Sequence, residues 1–195
     1  MSLYNLKVPS EINDISTIQD ILKGDKNAFR SLYNKYSKLY LLTCLRYVKN
    51  RSDAEDLLQD SCVKIFKDLK QFDPSKGTFI NWSKRVVINT CLQKLRKNNV
   101  LNVFENIFEL SSSLATKSDA IDNLNLQDLT KLIQKLPKGY RTVFNLYVVD
   151  GFSHREISNL LVISESTSKT QLMKAKRLLK SYISDSEQSL ISSYA

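Results

Sequence analysis

Residues 77–99 combine the side-chain types that bind nucleic acid. Five basic side chains and no acidic one occur between residues 84 and 97. At 100° per residue, one face of a helix here collects an aromatic ring, amides and cations: Trp82, Arg85, Val86, Asn89, Gln93, Arg96 and Lys97. Cations and amides grip phosphates, and aromatic rings stack on unpaired bases. This face is therefore a candidate surface for a single strand of DNA.

The opposite stripe of the same helix is apolar and is expected to be buried: Ile80, Val87, Ile88, Cys91 and Leu95. Core packing is the alternative interpretation of Trp82, and a ring at the edge of a core can serve both purposes. The preceding loop, 73–79, contains Gly77, which permits a close approach of the backbone to a ligand.

Residues 151–183 have the pattern of a helix-turn-helix motif. Ser153 and Glu156 form a capping box that opens a short helix, and Ser164 caps a second helix after the turn Val162 to Ser164. The second helix of such a motif enters the major groove. The candidate contacts to base edges are Glu165, Ser166, Thr167, Lys169 and Thr170, and those to phosphates include Lys174 and Arg177. Many helical hairpins share this pattern, and a structural role is favoured for His154, the only histidine.

A third helix, over residues 51–69, has an acidic face within the most basic part of the chain. Ser52 and Glu55 predict a capping box at its start, and the stripe from Ala54 to Leu69 is expected to face the core. The other face carries Asp53, Asp56, Leu57, Gln59, Asp60 and Val63. Apolar residues embedded among acids are typical of a docking surface for a basic protein. A solvated face whose acids favour the helix N-terminus is the alternative, and it explains Leu57 and Val63 poorly.

Charge is unevenly distributed along the 195 residues, whose net charge is +9. Residues 28–100 carry 15 basic against 6 acidic side chains, and residues 126–195 carry 10 against 6. Residues 101–125 between them carry 1 against 4. Two basic blocks favour two surfaces that meet a polyanion, although charges also keep helices soluble. Three scattered cysteines without a CxxC pair argue against disulfides or zinc, and with no signal peptide or membrane span they predict a cytoplasmic protein.

Helical spacing is found throughout, with 4 glycines and 3 prolines, so an all-α fold is predicted. We expect two helical domains, at 15–98 and 126–183, that fold independently. A flexible linker, 99–125, is expected between them because its composition shifts to serine and acid. The Ser-rich tail after residue 184 is expected to be frayed.

These motifs, in this order, resemble the extracytoplasmic-function (ECF) sigma factors of bacterial RNA polymerase. DAEDLLQDSCVKIF resembles the family's helix that binds the polymerase clamp helices. FDPSKGTFINW followed by VVINTCLQKLRK resembles the segments that capture and melt the minus-ten element. LPKGYRTVFNLYVVDGFSHREISNLLVISESTSKTQLMKAKRLL resembles the domain that reads the minus-thirty-five element. The resemblance implies core RNA polymerase and promoter DNA as partners, and in some members an anti-sigma factor.

Three positions depart from the family pattern. Val162 stands in the turn where the family usually has glycine, Ser168 replaces a usual valine, and Gln93 replaces a usual aspartate or asparagine. The TSKTQL form resembles sigma factors of the Bacteroidetes. A β-branched residue tolerates a left-handed backbone poorly, so a distorted turn at Val162 is one expectation.

Two other classes of protein fit the sequence less well. A helix-turn-helix repressor or response-regulator output domain would explain residues 126–183 but would leave the acidic helix and the Trp82 face unused. An enzyme acting on nucleic acid is disfavoured by a single histidine and by the lack of a metal-ligand cluster or a phosphate-binding glycine loop. We therefore predict a non-enzymatic initiation factor that needs no cofactor.

Overall fold

The computed structural model describes residues 14–101 and 124–192, with side chains assigned for 14–97 and 130–183. All regular structure in these residues is helical, which confirms the all-α prediction. Most of the predicted linker, residues 102–123, lies outside the described part of the chain. None of the described helices is long and apolar enough to cross a membrane.

The N-terminal half is built from four α-helices: α1 (Asp14–Leu22), α2 (Lys26–Tyr47), α3 (Arg51–Lys67) and α4 (Phe79–Leu101). Two short 3₁₀ turns, Leu69–Gln71 and Pro74–Lys76, join α3 to α4. Asp25 caps α2 by accepting a hydrogen bond from the backbone N–H of Asn27 at 2.7 Å. The apolar faces of α2, α3 and α4 pack on one another and bury the stripes predicted for α3 and α4.

The start of α3 differs from the sequence prediction. The helix begins one residue before Ser52, and its cap is Asn50, whose side chain accepts from the N–H of Ser52 at 2.9 Å. Glu55 instead pairs with Arg51 one turn earlier, with 2.8 Å between Nε and Oε1. Asn50 is as good an N-cap as serine, so the helix begins two residues earlier than a capping box at Ser52 would place it.

The C-terminal half contains α5 (Leu124–Lys135), α6 (Lys138–Phe144), α7 (His154–Leu161) and α8 (Glu165–Ser192). A single π-helical turn, Asn145–Val149, extends α6. The prediction that the tail frays after residue 184 is wrong as far as Ser192, because α8 continues to that residue. With no glycine or proline to stop it, an established helix propagates at low cost.

The two halves contact each other. Side chains of α5, α6 and the π-helical turn reach the C-terminal end of α2, where Gln134 Nε2 donates to Leu45 O at 2.7 Å. Asn145 Nδ2 donates to Arg46 O at 2.8 Å. The structure therefore has the two domains docked, an arrangement that the sequence does not predict.

Candidate polymerase and nucleic-acid interfaces

The face of α3 opposite the core is exposed and acidic. Asp56, Gln59 and Asp60 are exposed, and Asp53 is half-buried. Val63 is 54% exposed although it is apolar. These five residues have the placement that a docking surface requires.

Leu57 does not belong to this surface, and its assignment as a docking residue is wrong. Its side chain is 1% exposed and forms part of the core, as does that of Leu58 beside it. Helix α3 packs against both α2 and α4. Its apolar stripe is therefore wide enough to include residue 57, as is usual for a helix held by two neighbours.

Most side chains on the α4 face that is predicted to hold single-stranded DNA are exposed. Asn89, Gln93, Arg96, Lys97 and Arg85 are exposed, and Val86 is half-buried. Gln93 Oε1 accepts a hydrogen bond from Lys64 Nζ of α3 at 2.7 Å, which fixes the orientation of its amide. The arrangement presents amide and guanidinium groups along one side of the helix.

Trp82 is half-buried in an aromatic cluster at the start of α4. Its ring centroid lies 5.7 Å from that of Phe72 and 5.8 Å from that of Phe79. The ring is therefore packed at the edge of the core and remains partly exposed, and its contact with a DNA strand stays a prediction.

A cleft of about 280 Å³ opens beside this cluster, between the first turn of α1 and the 72–79 segment. The side chain of Asp73 accepts from the hydroxyl and the N–H of Ser75, at 2.7 and 3.0 Å. These bonds, with help from Lys76, lower the pKa of Asp73. Gly77 has φ +144 and open space where a Cβ would be, so the loop turns there as only glycine does easily.

The helix-turn-helix motif forms as predicted. Ser153 and Glu156 make both bonds of the capping box. The N–H and the hydroxyl of Ser153 donate to the Glu156 carboxylate and lower its pKa. Ser164 Oγ accepts from the N–H of Thr167 at 3.0 Å and so caps α8. The candidate DNA-contacting residues of α8 are all exposed: Glu165, Ser166, Thr167, Lys169, Thr170, Lys174 and Arg177. They lie on the outer side of the second helix, where a major groove can reach them.

The turn is undistorted despite its valine. Val162 adopts the left-handed conformation with φ 56 and ψ 51, and its side chain is 83% exposed. The N–H of Ile163 bonds to Ser158 O at 3.1 Å, which completes the usual end of a helix at a left-handed residue. The expected distortion is therefore wrong, and the strain is confined to one backbone position.

Two family models match the sequence of this chain. Sigma-70 region 2 matches residues 32–100, and Sigma-70 region 4 matches residues 126–179, which together make up more than half of the chain. The ECF RNA polymerase sigma factor SigW of Bacillus subtilis is 28% identical over 86% of this chain and 95% of its own. The chain belongs to the ECF sigma factor family. It is thus a transcription initiation factor that binds core RNA polymerase and directs it to promoters.

Further relatives agree with this assignment. The ECF RNA polymerase sigma-E factor of Escherichia coli is 24% identical over 87% of this chain and 93% of its own. The sigma factor RpoE of Bartonella quintana, solved in complex with the anti-sigma factor NepR, shares the fold with a TM-score of 0.55. Its identity is 20%, over 80% of this chain and 96% of that one.

Sequence reasoning on this sigma factor missed the polar contacts that place Ser168. Its side chain is fully buried, and its Oγ lies 2.9 Å from Nδ1 of His154. The His154 ring in turn stacks on Tyr147 with 4.4 Å between centroids. Ser168 therefore positions α8 against α7, and the departure from valine is accompanied by a hydrogen-bond partner that a buried hydroxyl needs.

Proposed function

We propose that three separate surfaces carry the activity of this sigma factor. The exposed face of α3 (Asp53, Asp56, Gln59, Asp60 and Val63) binds the clamp helices of core polymerase. The outer face of α4 and the adjoining cleft hold the minus-ten strand. The N-terminal part of α8 reads the minus-thirty-five duplex. The observation that carries the proposal is the separation of an acidic face on α3 from amide and cationic faces on α4 and α8.

The charge of the α3 face supports its assignment to a protein partner. DNA repels carboxylates, so an acidic face in a basic domain is suited to a protein partner. Val63 at 54% exposure adds an apolar contact among those acids. We infer that Asp56 and Gln59, both exposed, contribute to the docking contact.

Strand opening requires binding energy, since a sigma factor has no chemical energy source of its own. Extruding a base costs a few kcal/mol, and stacking on an aromatic ring returns about 1–3 kcal/mol per base. The strand face, defined here as Trp82, Arg85, Asn89, Gln93, Arg96 and Lys97, offers a ring held rigid by Phe72 and Phe79. The cleft next to those two phenylalanines provides room for an unstacked base.

At the minus-thirty-five element, the first turn of α8 is proposed to contact base edges. Loss of one such contact, from Lys169 or Glu165, is worth roughly 1–3 kcal/mol at one base pair. Lys174 and Arg177 lie further along the helix and suit phosphates, which position the protein without reading sequence.

We further infer a non-enzymatic, cofactor-free protein that acts in the cytoplasm, with a Bacteroidetes-like lineage supported by its TSKTQL segment. An anti-sigma factor is an additional proposed partner, because a protein of this fold is known in complex with one.

The proposal is tested by separating opening from docking, on a promoter identified by sequencing the DNA that the protein occupies in cells. Asn89→Ala and Arg96→Ala are expected to lower permanganate reactivity of minus-ten thymines on a linear duplex while core binding is retained. A template with a mismatched minus-ten region should restore initiation. Lys94→Ala removes a charge from α4 outside the strand face and serves as the control.

The docking arm uses Asp56→Arg combined with Gln59→Arg, which should abolish core binding without loss of helix content, since both side chains are exposed. Normal opening by Asn89→Ala and Arg96→Ala would show that the strand face is assigned wrongly. If core binding survives the double substitution, the docking face on α3 is assigned wrongly.

A further inference from the structure

The C-terminal end of α2 is capped by the other domain. The last carbonyls of a helix have no partner within it. Here Gln134, Asn145 and Arg141 supply donors to Leu45 O, Arg46 O and Tyr47 O at 2.7, 2.8 and 3.2 Å. The guanidinium of Arg141 also places a positive charge at the negative end of the helix. The C-terminal domain therefore docks on the C-terminal end of α2.

Asp150 closes this contact. Its side chain is fully buried, and its Oδ1 lies 3.0 Å from Arg46 Nη2 and 2.9 Å from Lys84 Nζ. Its Oδ2 accepts from the hydroxyl of Tyr47 at 2.8 Å. One carboxylate of the C-terminal domain therefore holds α2 and α4 of the N-terminal domain. Burial and the Asp150 charge raise the pKa of Tyr47, so its hydroxyl remains a donor.

The docked domain contacts the strand face at two arginines, both of which remain exposed. The guanidinium of Arg85 lies 5.6 Å from the ring centroid of Phe152, which follows Asp150 by two residues. Arg96 donates a hydrogen bond to Leu160 O of α7. Both arginines were assigned above to the minus-ten strand, so the docked domain and the DNA compete for them.

The docked form is too small to hold both promoter elements. Their names place them 25 base pairs apart, about 85 Å at 3.4 Å per base pair. A compact chain of 195 residues has a radius of gyration of roughly 16 Å, hence a diameter of about 40 Å. The 22 residues between α4 and α5 reach up to about 75 Å when extended, so the chain permits separation. Simultaneous binding requires that the Asp150 contacts break.

The interface is chemically suited to opening. Among the described residues, none hydrogen-bonds to the buried Nε of Arg141 or Oδ1 of Asn145. A charged and incompletely satisfied interface gains from solvation when it separates, unlike an apolar core.

We propose that Asp150, Arg46, Lys84 and Tyr47 form an intramolecular latch that holds the free factor closed and keeps two arginines of its strand face in contact with the C-terminal domain. The proposal rests on the assignment of that face to the minus-ten strand. Closure lowers the apparent affinity for DNA in proportion to the fraction of open molecules. Engagement of the promoter on polymerase then has to offset the latch, which keeps the unbound factor from occupying DNA on its own.

The test uses the full chain without polymerase and compares wild type with Asp150→Ala. Small-angle X-ray scattering should give a larger radius of gyration for the variant. Fluorescence anisotropy with a labelled dT₂₀ strand should show at least fivefold tighter binding. Asp20→Ala removes the same charge from an exposed i,i+3 pair with Lys23, and it should change the affinity less than twofold. Circular dichroism checks that helix content is retained.

Lys84→Met is a second variant in case Asp150→Ala fails to fold. It removes one half-buried latch donor from the surface of α4 and should also increase the radius of gyration. An unchanged radius in both variants overturns the latch. A larger radius without tighter strand binding overturns the competition between the docked domain and the strand for Arg85 and Arg96. Arg96→Ala in the Asp150→Ala background should weaken strand binding; if it does not, the strand-face assignment fails while the scattering result still stands.

Discussion

Replacing Val162 by glycine is expected to stabilise the protein. Val162 ends α7 at φ 56 and ψ 51, where an L residue is strained by about 1–2 kcal/mol. Its side chain is 83% exposed, so little packing is lost on its removal. Glycine enlarges the conformational freedom of the unfolded chain, which costs about 0.4–1 kcal/mol. The middles of these two ranges give a net gain of about 0.8 kcal/mol.

Thermal unfolding followed by circular dichroism measures this gain. For a chain of this size, 1 kcal/mol corresponds to a Tm shift of about 2–4 °C, so Val162→Gly should raise Tm by about 1–4 °C. Val162→Ala is the matched control, because it removes the β-branch but keeps the Cβ that clashes in the left-handed region. Alanine should therefore recover only a minor part of the gain.

Two results would contradict the strain argument. A Tm for Val162→Gly at or below that of wild type would mean that the left-handed valine costs less than the added chain entropy. Equal gains for alanine and glycine would assign the effect to the exposed branched side chain and not to the backbone. A urea titration with an unchanged m-value excludes a change in the compactness of the unfolded state.

Two further predictions concern α3 and α7. Leu57→Ala should lower the free energy of unfolding by about 2–5 kcal/mol, measured in urea, because it opens a cavity in the core. The affinity of the folded variant for core polymerase should not change. A loss of affinity without a loss of stability would return Leu57 to the docking face. The pKa of Glu156 is lowered from 4.5 in the folded state, so its stabilisation is present above pH 4.5 and is lost as pH falls through the folded value. Glu156→Gln should remove that contribution, seen as a wild-type advantage in Tm at pH 7 that shrinks as the pH is lowered below 4.5. A difference in Tm that does not change with pH would exclude the carboxylate.

The fold class and the helix-turn-helix were predictable because they depend on local rules. The capping box of Ser153 and Glu156 and the cap of Ser164 each involve residues three apart in the chain. The apolar stripes of α3 and α4 follow from helical periodicity alone. These signals are complete within one turn of helix, so no tertiary information is needed to read them.

The errors have a common physical origin. Periodicity places Leu57 on the surface if α3 has one neighbour, whereas α3 packs against two helices and needs a wider apolar face. Ser168 departs from the family pattern, and only the fold shows His154 beside its hydroxyl. Periodicity gives the direction in which a side chain points along its own helix, but the neighbours in that direction come from distant parts of the chain.

A physical reason explains why the proposed Asp150 latch is made of polar residues. An apolar contact between the domains would be stable in the closed form and would leave exposed apolar surface in the open form, a liability for a protein that must exist in both. A buried carboxylate with three donors is held firmly while closed and is solvated on opening, as are Arg46 and Lys84. The same two cations then face solvent next to the strand face, where they add to the positive potential that attracts DNA. On opening, Arg46 and Lys84 lose the Asp150 carboxylate and gain the phosphates of the promoter as partners. The difference in free energy between those two interactions sets how strongly the latch opposes DNA binding by the free factor.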